Sequence, residues 1–145
     1  MKCPGTGGGG IKAMWWSSDD TLTTLTADAE VFVWNVGERR CVRRWKDDGG
    51  FRGTGRAMAG SQSWLAVGGN TGIVNVYGKD ALDAEADGQP KLQKAIGNLT
   101  TAISDMQFNH DSQLLAVASK EKKDAMKLVS RSLSMSALCL ADLNC

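Results

Sequence analysis

The chain has 145 residues, the length of one ordinary domain, and it is 42% hydrophobic and 23% charged, as a soluble globular protein is. A net charge of +1 supplies no bulk field for nucleic acid or an anionic membrane, so any basic footprint must be local. No apolar run approaches the ~18 residues of a membrane span, and the start Met1-Lys2-Cys3-Pro4 has no apolar core for a signal peptide, which predicts a cytoplasmic or nuclear address.

Residues 1–10 read as a flexible glycine-rich leader. A first unit follows at about 11–46. Ile11 to Trp16 is a strand, Ser17 to Asp20 has turn chemistry, and Leu22 to Leu25 is a second strand. After the turn Thr26 to Ala29 comes Glu30 to Val36, a strand apolar on both faces, which must therefore be covered on both. Arg39 to Lys46 is then an outer strand, charged at most positions as an edge must be to resist pairing with other chains.

The second unit, about 55–96, repeats the order: Gly55 to Ala59, Ser63 to Gly68, Ile73 to Tyr77, an acidic loop from Lys79 to Pro90, and Lys91 to Ile96. The third, about 103–130, offers Ile103 to Phe108, Leu114 to Ser119 and Ala125 to Val129, with a strongly charged turn before the last. Residues 131–145 do not match the pattern. A final strand at Ser136 to Leu140, a short helix and sequence foreign to the domain all remain open there, the last being favoured.

Leu22, Leu65 and Leu115 hold the same place in the three units, at steps of 43 and 50 residues. Each has a large apolar residue upstream (Trp15, Met58, Phe108) and a strand-end residue downstream (Trp34, Tyr77, Val129). A period of roughly 40–45 residues with several short strands per unit is that of a WD-type β-propeller. The expected fold is all-β: a partial propeller of about three four-stranded antiparallel blades.

The strings EVFVWNVGERRCVRRWKDDGGFRGTG, WLAVGGNTGIVNVY and PKLQKAIGNLTTAISDMQFNHDSQLLAVASKEKKDAMKLV closely resemble the U3 small nucleolar RNA-associated protein 18 family, over roughly Ile11 to Val129. The most telling parts are the Arg52-Gly53-Thr54 step, the GIVNVY strand, the Lys94-Ala95-Ile96 and Asn98-Leu99-Thr100 linker, and the charged turn before Met126. Asp28, six residues before Trp34, and Trp34 itself belong to WD repeats generally, and Asn35 stands where the repeat's name expects Asp. The resemblance implies a non-catalytic scaffold of the small-subunit processome, nucleolar, acting in pre-ribosomal RNA processing. Its implied partners are other processome proteins, with pre-ribosomal RNA or U3 small nucleolar RNA in the assembly, no membrane and no small-molecule substrate. A WD adaptor in ubiquitin ligation or signalling is the alternative.

Family members continue into further blades, so this chain is expected to start within the propeller and end after about three units. An open face of on the order of 500 Å² of apolar surface would forfeit about 12 kcal/mol at ~25 cal/mol per Å². That rivals the roughly 5–15 kcal/mol holding a domain together, so the chain alone is expected to be unstable or to self-associate.

For sites, the densest basic cluster is Arg39, Arg40, Arg43 and Arg44 beside Trp45, and a second is Lys120, Lys122 and Lys123 in an inter-strand turn. Both are candidate partner or RNA contacts, since each neutralised phosphate adds salt-sensitive affinity; both also read as solvated edge or turn charge. The leader formally contains G-x-G-x-x-G, but it lacks the strand before and the helix after that a phosphate loop requires. The four cysteines contain no C-x-x-C pair, and with one histidine they offer no zinc-ligand spacing. His110, between Asn109 and Asp111, reads as a turn residue with no nucleophile placed beside it. No catalytic residue, cofactor or metal is expected.

Overall fold

The computed structural model describes residues 10–50, 54–97, 99–121, 125–130 and, as backbone, 140–142. The leader up to residue 9, Arg52, Gly53, Asn98, Lys122, Lys123, Cys3, Cys139, Cys145 and most of the tail lie outside the described residues.

Among the described residues, twelve strands form three antiparallel sheets. The first holds β1 (Ile11–Trp16), β2 (Thr21–Thr26), β3 (Glu30–Asn35) and β4 (Arg40–Lys46), in that order. The second holds β5 (Gly55–Gly60), β6 (Leu65–Gly69), β7 (Val74–Tyr77) and β8 (Leu92–Ile96), with a 3-10 turn Lys79–Ala81 in the loop before β8. The third holds β9 (Asp105–Phe108), β10 (Leu114–Ser119), β11 (Ala125–Ser130) and β12 (Leu140–Asp142). Each sheet is a blade built in chain order from its inner to its outer edge.

The alternation along each strand explains the stacking. Leu25, Val31 and Trp45 share one face of the first blade and pack on Met58, Leu65, Val67 and Tyr77 of the second. The opposite face of the second blade, with Ala57, Ala66, Val74 and Ile96, packs on Met106, Leu115, Val117 and Val129 of the third. The middle blade is thus covered on both sides, as a strand like Ile73 to Tyr77 demands. Along the inner edges, β5 lies beside both β1 and β9. The approach of β1 is close because Gly60 has no side chain: a Cβ there would lie 2.1 Å from Cδ2 of the Trp15 indole.

Strand ends shift by one or two residues from the sequence reading, with local causes. β6 begins at Leu65 because Ser61 and Trp64 close a turn on each other, the Ser61 N–H donating to the Trp64 carbonyl at 2.8 Å. β9 begins at Asp105 because Ile103 serves the joint between blades instead. Its N–H donates to the Gly69 carbonyl at 3.1 Å, and its side chain lies where a Cβ on Gly68 would fall. The third blade draws its fourth strand from 140–142, beyond the 103–130 span of its unit, with Leu140, Ala141 and Asp142 opposite Val129, Leu128 and Lys127. Among the described residues no helix is long and apolar enough to cross a membrane.

Candidate interaction surfaces on the outer strand and its loop

The four arginines at the end of the first blade do not share one fate. Arg39 ends the β3–β4 turn in a left-handed conformation (φ 54°), exposed, its N–H donating to the Val36 carbonyl at 3.2 Å. Arg40 is exposed and pairs with Glu38. Arg44 is exposed, meets Glu30 at 2.6 Å and lies over the Phe32 ring at 5.3 Å from its centroid. Ion pairs as open to water as these contribute little to stability.

Arg43 behaves differently. It lies opposite Val33, on the same face as Trp45, so it points between the first and second blades, where it is only 8% exposed. Its Nη1 donates to the carbonyls of Asp80 and Asp83, the latter at 3.1 Å, and its Nη2 to that of Gly88 at 2.9 Å. A buried guanidinium requires such partners, because leaving water uncompensated is costly. For Arg43 the expectation of a surface contact is therefore corrected: its forked donors are engaged inside the protein.

The consequence falls on the loop between β7 and β8. Arg43 grips it from below, Ala81 and Leu82 pack into the core, and Gln89 exchanges hydrogen bonds with the backbone of Lys46. Asp80 accepts from the Lys91 N–H at 3.0 Å. Asp80, Asp83, Glu85 and Asp87 all remain exposed on the outer side.

At the other end of β4, the link to the second blade is fixed by a polar cluster that sequence reasoning missed. The Tyr77 hydroxyl donates to the Asp47 carboxylate at 2.6 Å and accepts from the Asp48 N–H at 2.8 Å. The Asn75 amide donates to both Asp47 oxygens, at 3.1 and 3.2 Å, and to the Asp48 carbonyl at 2.8 Å. Burial pushes the Asp47 carboxyl above its ordinary range, against the opposing pull of these donors. Burial and the neighbouring carboxylate push the Tyr77 hydroxyl far up. A visible signal was Asn75, a polar residue inside an otherwise apolar strand. In the first blade, the corresponding buried partner of an aromatic is Thr24, whose hydroxyl accepts from the Trp34 indole N–H at 3.0 Å.

Lys120 is exposed at the end of β10. It lies on the third blade, at the opposite end of the sheets from the β3–β4 turn, so Lys120 does not join the exposed arginines of the first blade. His110 sits exposed in the β9–β10 turn, 2.7 Å from Asp111. Among the described residues no group of three or more His, Cys, Asp or Glu side chains is placed to hold a metal ion.

No known family profile matches the chain. The human U3 small nucleolar RNA-associated protein 18 homolog is 37% identical over 122 residues, 83% of this chain and 22% of its own length. The probable U3 small nucleolar RNA-associated protein 18 of Schizosaccharomyces pombe is 40% identical over 113 residues, 78% of this chain and 21% of its own. That of Saccharomyces cerevisiae is 35% identical over 124 residues, covering 74% and 20%. Among solved structures, U3-55K superposes with a TM-score of 0.68 at 16% identity, covering 85% of this chain and 36% of that one. A chain of the mitotic checkpoint complex superposes with a TM-score of 0.66 at 12% identity, covering 83% and 33%. At such identities the structures speak for the fold alone, and with the RRP9 WD40 repeats among them that fold is a partial WD-repeat propeller. The chain spans about a fifth of the length of the curated relatives it matches, and over that stretch it belongs to the U3 small nucleolar RNA-associated protein 18 family.

Proposed function

We infer that this chain is a non-catalytic scaffold segment working in ribosome biogenesis, within the small-subunit processome of the nucleolus, where pre-ribosomal RNA is processed. The observation that carries the reading is the 34–40% identity to proteins named for association with U3 small nucleolar RNA in animals, a plant and fungi. The fold supports it. Stacked blades hold loops and outer strands in fixed relative positions, so several partners can be engaged at once while no side chain has to make or break a bond.

The proposed contacts are the exposed cations Arg39, Arg40, Arg44 and Lys120, together with Lys122 and Lys123, which follow Lys120 in the sequence and lie outside the described residues. Arg43 is not among them, because its guanidinium is spent on the carbonyls of Asp80, Asp83 and Gly88. Affinity purification of the tagged full-length protein from nucleolar extract tests the assignment. Recovery of U3 RNA with small-subunit processome proteins is expected. Recovery of ubiquitin-ligase or signalling subunits without U3 RNA would overturn it.

A further inference from the structure

Lys12 and Arg56 occupy the same place in consecutive blades, and at both places the strand departs from regular pairing. On β1, Ile11 is opposite Thr26 and Ala13 is opposite Leu25, so three residues face two and Lys12 is left over. On β5, Gly55 is opposite Gly69 and Ala57 is opposite Gly68, which leaves Arg56 over in the same way. Such a bulge sacrifices regular ladder bonding and re-aims the side chain of its extra residue. Both extra residues are exposed. The ion pairs among the described residues engage Arg40, Arg44 and His110, not these two. The one carboxylate on the neighbouring inner strand β9, Asp105, accepts from the Met106 N–H at 2.8 Å.

The two strands are also neighbours. Both are inner edges of their sheets, and β1 lies against β5. Two cations unused by the fold therefore stand at one level on adjoining edges, each raised by an interruption of the ladder.

The geometry points to a phosphate-binding edge: Lys12 and Arg56 together contact the backbone of a single RNA strand. The inference rests on the RNA-associated reading above and adds a surface to it, distinct from the outer strand. The bulges themselves favour RNA over an acidic peptide. A peptide docking on a sheet edge draws its affinity from main-chain hydrogen bonds along an unbroken ladder. A bulge breaks that ladder and twists the edge away. Phosphates need only the charge, and an arginine can meet one with two donors. Binding of this kind positions the strand without reading its bases.

Fluorescence anisotropy with the full-length protein and labelled oligouridine, titrated with salt, tests the inference. Replacing both residues (Lys12→Gln with Arg56→Gln) is expected to weaken binding about tenfold at low salt. The slope of log affinity against log salt should fall by about 1.4, two phosphates at ~0.7 each on a single strand. The charge-preserving pair Lys12→Arg with Arg56→Lys should bind as wild type does, which separates charge from folding. Unchanged affinity and slope in the Gln pair would overturn the inference, as would a wild-type chain that binds no oligouridine. Loss on Arg39→Gln with Arg44→Gln, but not on the inner pair, also overturns it and leaves the broader reading intact. Polyglutamate competing as well as oligouridine does would assign the edge to an acidic protein segment and overturn it too.

Discussion

The guanidinium of Arg43 donates to the carbonyl oxygen of Gly88 at 2.9 Å, joining the outer strand of one blade to a loop of the next across 45 residues of sequence. Replacing it with alanine leaves the Asp83 and Gly88 carbonyls without that donor and empties a buried volume between blades. Arg43→Ala should therefore destabilise by about 2–4 kcal/mol. Arg43→Lys keeps the charge but cannot fork across three carbonyls, and should recover only part of the loss. Urea midpoints give the ranking, and faster amide exchange within 79–90 in the alanine variant checks the mechanism. Equal midpoints for all three proteins would refute it.

Gly60→Ala puts a methyl carbon where the Trp15 ring already lies. The joint between inner strands must open, at a cost of about 1–3 kcal/mol. Adding Trp15→Leu should restore part of it, because the two sites share one contact and their effects cannot be additive. Thermal melting of the two single variants and the double provides the coupling.

Asp47 has a definite sign of pH dependence. Its folded carboxyl is raised above the ordinary 3.8, so between that value and the raised one the folded state binds more protons than the unfolded. This group's contribution to stability accordingly falls as pH rises through that window. Asp47→Asn keeps an acceptor for Tyr77 and removes the buried charge. The midpoint of Asp47→Asn relative to wild type should increase from about pH 4 to pH 7; a difference that shrinks with pH contradicts the account.

The outer faces of the first and third blades differ from the sandwiched ones. Met14 is 66% and Trp16 56% exposed on one, Leu114 37% and Met126 40% on the other, while Leu65 and Ala66 between blades are fully buried. Apolar side chains left open on a sheet face drive association. Sedimentation of the 145-residue chain should be concentration-dependent, and Met14→Lys with Trp16→Glu should shift it toward monomer. A monomer at all concentrations with a sharp cooperative melt argues the reverse.

The blades were readable because alternation and turn chemistry are local. Glu30 to Asn35 and Leu114 to Ser119 carry their own periodicity and their own punctuation. The start of β9 was not, because Ile103 looks like a strand residue and only the neighbouring blade, with Gly68 facing it, makes it a joint residue. The burial of Arg43 is hidden in the sequence because charge on an outer strand ordinarily means water. The usable clue was its spacing of two from Trp45: side chains two apart share a face, and the one holding Trp45 is buried. The Asp47 cluster needed residues from two blades and could be glimpsed only in the oddity of Asn75.

The hold on the 79–90 segment has an evolutionary corollary. Arg43 grasps peptide oxygens, which every amino acid possesses, so its own grip does not depend on which side chains stand at 83 and 88, whereas Ala81, Leu82 and Gln89 fasten the segment by what they are. Asp83, Glu85 and Asp87 can drift or be selected for recognition while the blade-to-blade seam stays shut.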